Sequence, residues 1–211
     1  MGQLPDLRRA RARLGLALDS LCHDRWLLGY LRGGGLQPIA ASEISRRLLR
    51  SRPLVPLSRR ALYERRPVVV NSVIESGQPS NGYDWELDWP AILYAPVIEP
   101  MRRPIGLLVI GCRRDHWYSD DDVEYAGRLG ITLAPLVTAL RGVLSGLSEG
   151  EAEVAQLMSY GFSMQEVARA TQLDERRARY LVDCVSRKLE SVSTGELGFP
   201  IGQMKRRELR M

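Results

Sequence analysis

The spacing of apolar positions changes along this chain, and each change predicts an element. Leu7, Leu14, Leu18 and Leu21 recur at near-helical spacing, which predicts an amphipathic helix over residues 7–24, with the arginines at 8, 9, 11 and 13 on its solvated face. "RWLLGYL" and "LQPIAAS" flank Gly33-Gly34-Gly35 and read as a hairpin. Pro38 has no N–H for a ladder, so the second strand is expected at an edge or irregular. "LSRRALYERR" predicts a short helix over 57–66, N-capped by Ser58 and stopped ahead of Pro67. The β-branched run "PVVVNSV" is a strand ended by Asn71, and the polar loop "SGQPSNGYDWELDWP" follows with Tyr83, Trp85 and Trp89. "AILYAPVI" and "IGLLVIGC", around the turn "EPMRRP", form the strongest hairpin signal.

A long helix is expected from Ser119, with capping-box spacing to Asp122, acidic residues in its first turn and a kink at Pro135. "RGVLSG" reads as a linker, placing a boundary between a first domain, residues 1–142, and a second, residues 147–211. In the second, Glu151 to Tyr160 predicts a helix with Val154, Leu157 and Met158 inward. Gly161 permits a turn, and Ser163 with Glu166 is a full capping box for the next helix, whose Val167 and Ala168 face the core. "LDERRARYLVDCVSRKL" closes the series. Its stripe of Ala178, Leu181, Val182, Val185 and Leu189 faces inward, leaving Arg176, Arg179, Tyr180, Asp183 and Arg187 outside.

Composition adds limits. The formal net charge of +5 and sequence pI near 9.4 suit an anionic partner without requiring one. Almost all the basic charge is arginine, since Lys188 and Lys205 are the only lysines. No apolar run reaches membrane-spanning length and the N-terminus lacks a signal core, so a cytoplasmic protein away from the membrane is expected. Cys22, Cys112 and Cys184 are far apart in sequence and odd in number, with no CxxC spacing. Neither a zinc site nor a disulfide framework is indicated, and Cys112 reads as a structural thiol ending a strand alone. His23 and His116, the only histidines, lie in different contexts, so no catalytic or metal cluster is argued.

The C-terminal block resembles the LuxR-type helix-turn-helix family through Leu147, Ser148, Glu151, Glu153, Val154, Leu157, Gly161, Ser163, Glu166, Val167, Ala168 and the closing Lys188-Leu189. The resemblance implies double-stranded DNA as partner, with Arg179, Tyr180 and Asp183 at base edges. Arg176, Arg177, Arg187 and Lys188 complete the DNA-binding set, with the arginines at phosphates. The chain departs from the family where Thr-Val-x-x-His is usual, having Arg177, Ala178, Arg179, Tyr180 and Leu181. Gly195, Gly198, Pro200 and Gly202 interrupt the expected fourth helix.

The N-terminal block, through "RRPVVVNSV" and "RRPIGLLVIGCRRDHWYSDDDVEYAG", resembles a GAF domain. The fold class expected is therefore α+β: a GAF-like α/β/α sandwich with an antiparallel sheet, plus a small all-α helix-turn-helix domain. The resemblance implies a ligand pocket at Asn71, Tyr83, Trp85, Trp89 and Tyr94, and a homodimer through the first and last helices of the domain. No cofactor is expected: Cys22-His23 is similar to the bilin attachment pair of phytochrome-type GAF domains but ends the first helix instead of lying on a later one. The expectation is a dimeric, non-enzymatic transcription regulator with a small-molecule effector. The rival is a protein-interaction module that sets its arginine helix against an acidic protein.

Overall fold

The computed structural model describes residues 12–42, 52–71, 91–112, 117–159 and 162–190. Helix α1 (residues 12–18) leads into β1 (Arg25–Arg32) and β2 (Gly35–Ala41), joined by Gly33 and Gly34. Both glycines have positive φ, 57° and 79°, the two-residue geometry that matches strand twist and that a side chain would oppose. The short β3 (Arg52–Pro53) and helix α2 (Pro56–Glu64) precede β4 (Val68–Val70). The hairpin β5 (Ala91–Ile98) and β6 (Pro104–Cys112) is followed by helices α3 (Asp120–Thr132) and α4 (Ala134–Ser145). Three more helices follow: α5 (Glu149–Ser159), α6 (Met164–Thr171) and α7 (Glu175–Glu190).

The described strands form one antiparallel sheet in the order β3-β2-β1-β6-β5-β4. Its centre is covered on both faces. Trp26, Leu28, Tyr30, Leu93, Ala95, Leu108 and Ile110 meet α1, α3 and α4, while Leu27, Ile92, Tyr94, Leu107 and Val109 meet α2. That is why β5 and β6 read as continuous apolar runs: a strand buried on both faces has no polar side. Pro38 lies at a bulge, since Leu28 pairs with Ala40 and Gly29 with Pro38, and β3 reaches only Gly35 and Leu36. The expected irregularity is present.

Several boundaries differ from the sequence reading. Ser58 is not the N-cap of α2: Val55 is, with Pro56 in the first turn, where its missing N–H costs nothing. The Ser58 hydroxyl instead donates to the Val55 carbonyl at 2.8 Å. The helix from Ser119 is capped as expected, the Ser119 side chain and the Asp122 carboxylate bonding each other's backbone N–H. Pro135 divides it into α3 and α4 at Leu133, because the ring clashes with the carbonyl one turn back. The stretch "RGVLSG" is no linker, since α4 continues to Ser145 and Leu144 is buried.

Helix α1 is anchored through its end. Tyr125 of α3 donates its hydroxyl to the Ala17 carbonyl at 2.7 Å, and Leu21 N–H bonds the Leu18 carbonyl at 2.8 Å, satisfying acceptors the helix itself leaves open. Leu14, Leu18 and Leu21 are buried in the chain's own core. They are therefore not on the outer side of α1, whose exposed leucine is Leu16, 64% exposed.

Helix and sheet approach closely at Gly130. A β-carbon there would lie 2.3 Å from the Pro96 carbonyl oxygen, so α3 would have to lift off β5. Gly130→Ala is expected to lose about 1–3 kcal/mol in urea unfolding. Gly15→Ala, in α1 with nothing within 4 Å of the added carbon, should gain up to about 1 kcal/mol from helix propensity. Equal effects at the two positions would contradict the packing described.

Candidate functional site

The three C-terminal helices close around Val154, Leu157, Val167, Ala168, Ala178 and Val182. Ser163 caps α6 in the full capping box expected, with Glu166 returning to the Ser163 N–H. These bonds hold the Glu166 carboxyl below its ordinary value. The chain leaves α6 through Gln172 in the left-handed region (φ 59°), and Leu173 N–H bonds back to the Ala168 carbonyl at 3.0 Å. Only Gln172, Leu173 and Asp174 separate α6 from α7. The Asp174 carboxylate then accepts from Arg177 N–H at 2.7 Å, capping α7.

This turn decides which face of α7 is presented. Ala178, Val182 and Val185 are buried; Arg176, Arg177, Arg179, Tyr180, Asp183 and Arg187 are exposed. Tyr180, at 57% exposure, stands among the guanidinium groups. Arg179 pairs with Glu175 at 3.1 Å, an exposed i,i+4 contact of the kind that contributes about 0.3–0.5 kcal/mol, weak enough for a stronger acceptor to displace. Arg187 donates to the Asp183 carbonyl on the same face. Leu181 is half-buried, and Gly161 lies outside the described residues.

Lys188 is placed differently from the arginines. Its ammonium donates to the Glu151 carboxylate at 2.7 Å and to the Gly146 carbonyl at 3.0 Å, tying the last turn of α7 to the start of α5. Glu151 also accepts from Ser148 N–H, while its own N–H donates to the Ser148 hydroxyl. The reciprocal cap was legible as Ser-x-x-Glu at 148–151; the lysine that completes it was not. Lys188 first, then the Ser148 bonds, holds the Glu151 carboxyl below its ordinary 4.5. A depressed folded-state value means stability present above pH 4.5 and lost as pH falls through the lower value. Glu151→Gln should therefore cost about 1–2 kcal/mol near neutrality, and the gap to the parent should close progressively below pH 4.5 in unfolding curves. A gap unchanged into the acid range would mean that the carboxylate is not the stabilising form.

Two of the expected pocket residues, Asn71 and Tyr94, lie on opposite faces of the sheet. Tyr94 is buried beneath α2 with Leu62 and Val68. Asn71 continues the alternation of β4 onto the opposite face. Its side-chain oxygen accepts from Tyr118 N–H at 2.9 Å and its amide donates to the Tyr118 carbonyl, clamping β4 to the segment before α3. Strand periodicity is the reason: residues one apart differ in face, and Val68, not Asn71, pairs with Tyr94. Tyr83, Trp85 and Trp89 lie outside the described residues.

The cysteines correct another expectation. Cys112 is not alone: its sulfur lies 3.1 Å from that of Cys22, ninety positions away. The Tyr118 hydroxyl, whose pKa burial raises, donates to the Cys22 carbonyl at 3.0 Å. Neither neighbour is visible in local sequence, because strand pairing alone returns the end of β6 to the α1–β1 turn.

An antiparallel sheet between a layer of three helices, α1, α3 and α4, and the single helix α2 defines a class of small α/β domains. The GAF domain family matches residues 14–138, more than half of the chain, and the chain belongs to that family. A search of curated proteins found no match. Among solved structures, the chain is similar to the type II free methionine-R-sulfoxide reductase from Thermoplasma acidophilum, at 18% identity and TM-score 0.54 over 65% of this chain and 96% of that one. It is also similar to the GAF domain of a phosphoenolpyruvate-protein phosphotransferase from Coxiella burnetii, at 20% identity and TM-score 0.53 over 68% and 88%. A GAF domain/HD domain protein from Geobacter sulfurreducens follows at 13% and 0.53 over 65% and 95%. These likenesses establish the fold. Domains of this family are sensor and signalling modules, which agrees with small-molecule sensing. Among the described residues, no helix is long and apolar enough to cross a membrane.

Proposed function

We propose that the chain is a dimeric, cytoplasmic transcription regulator, in which a GAF sensor carries a LuxR-type helix-turn-helix head that binds double-stranded DNA. The observation that carries this reading is the divided surface of α7: its exposed positions are Glu175, Arg176, Arg177, Arg179, Tyr180, Asp183, Arg187 and Lys188, opposite a buried stripe of Ala178, Val182 and Val185. A capped helix and three-residue turn precede it, as in a helix that enters the major groove. Arg179 suits a guanine edge, Arg176, Arg177 and Arg187 suit phosphates, and Asp183 can accept from cytosine. The reading assigns the protein no catalytic reaction.

The route from sensor to head is short. Leu140, Leu144, Leu147, Ala152, Ala155 and Val185 belong to the same buried cluster as the sensor core. Gln156, itself buried, donates to the Pro38 carbonyl at the bulge of β2. A small effector that favours one arrangement of the sheet would move α5 with it, and the energy of the switch is the effector's preference between the two arrangements.

Gel-shift titration tests the DNA contact. Binding should weaken steeply with salt. Arg179→Ala should cost about 1–3 kcal/mol on a selected site and relax one base position, whereas Arg187→Ala should weaken all sequences alike and flatten the salt slope. If both variants bind every DNA like the parent, α7 is not the reader; capture of an acidic protein with no DNA shift at any salt concentration would favour an interaction module.

The dimer is expected through the outer face of α1. Leu16→Glu should shift the protein to monomer in analytical ultracentrifugation while leaving it folded. Leu14→Glu places a carboxylate in the core and should destabilise the fold by several kcal/mol, on the order of an unpaired buried polar group. A dimer that survives Leu16→Glu would exclude α1 as the interface.

A further inference from the structure

We propose that Cys22 and Cys112 form a redox-active dithiol, which a small hydroperoxide converts reversibly into an intramolecular disulfide. Neither is in a disulfide, their sulfurs lie 3.1 Å apart, and a bond of about 2.05 Å is reached by a shift of roughly 1 Å. Three contacts bring them together. Asp24 N–H bonds the Gly111 carbonyl at 2.9 Å, Arg25 pairs with Gly111 in the ladder, and Tyr118 holds the Cys22 carbonyl. Removing any one leaves the other two, so the pair is a product of the sheet and not of a single side chain.

Exposure assigns the roles. Cys22 is half-buried and reachable by a small oxidant; Cys112 is 1% exposed. The Cys22 thiolate attacks one peroxide oxygen: a sulfur–oxygen bond forms, the oxygen–oxygen bond breaks, and the alcohol leaves with a proton. The Cys112 thiolate then attacks the sulfenic sulfur, the sulfur–sulfur bond forms, and the oxygen departs as water. The protein loses two electrons and two protons, the peroxide gains them, and a dithiol reductant reverses the change. The disulfide would fasten the turn after α1 to the end of β6, adding a covalent tie to the hydrogen bonds already there. Nothing in this depends on DNA binding by α7. Cys184, on α7 and in contact with Arg187, serves as the internal control.

The test uses the full reduced chain treated with hydrogen peroxide. Thiol titration after denaturation should fall from three to one, peptide mapping should find Cys22 joined to Cys112, and dithiothreitol should restore all three. The melting temperature should rise on oxidation, because the cross-link closes a long loop in the unfolded chain. Cys22→Ser should retain both remaining thiols under the same treatment. Cys112→Ser should halt at a sulfenic acid on Cys22, trapped by a cyclic dione; if that core variant does not fold, Cys22→Ser decides alone. The proposal is overturned if the parent keeps three thiols, if Cys22→Ser loses thiols as readily as the parent, or if the only disulfide formed joins Cys184 residues of two chains.

Discussion

The burial of β5 and β6 on both faces is the constraint from which the rest of the structure follows. Strands without a polar face need helices on each side, and each layer must reach the sheet closely enough to exclude water. Gly130 allows that approach on one face, where the Pro96 carbonyl leaves no room for a β-carbon. On the other face α2 covers Ile92, Tyr94, Leu107 and Val109. A fully buried leucine or isoleucine contributes about 1.5–3 kcal/mol, so the aliphatic residues along this hairpin outweigh any surface ion pair in the molecule.

The same constraint organises what lies outside the hairpin. Because α1 covers the sheet with Leu14, Leu18 and Leu21, its apolar stripe is spent inside the chain, and Leu16 lies on its outer side. Because α4 continues past Pro135 and buries Leu140 and Leu144, the core extends without a break into α5 and α7. The C-terminal helices are therefore attached through packed side chains, with Gln156 fixing α5 to the bulge of β2.

Hydrogen bonds set local details where packing is indifferent. Ser119 with Asp122, and Ser163 with Glu166, decide where α3 and α6 start. Ser148, Glu151 and Lys188 close the three-helix unit at the end remote from the turn between α6 and α7. The tyrosine hydroxyls of Tyr118 and Tyr125 satisfy carbonyls at and beyond the end of α1. The caps are local pairs three residues apart, whereas Lys188, Tyr118 and Tyr125 find their partners on other elements.

Local spacing determined most element types, both hairpins, the capped helices at Ser119 and Ser163, and the buried positions Ala178, Val182 and Val185 of α7, though it read the helical stretch 141–145 as a linker. These depend on residues within a few positions of one another, where the spacing of apolar groups reports the face directly. Tertiary structure decided the rest. Asn71 was legible as a strand end, but its face follows from the register of β4 against β5, and that sets it opposite Tyr94. Lys188 carried the same charge as its arginine neighbours, and only the position of Glu151 drew it to α5. Cys22 and Cys112 showed no spacing that sequence could interpret, because their meeting is a consequence of antiparallel pairing across ninety residues. Local sequence fixes what a residue can do, whereas long-range pairing fixes what it meets.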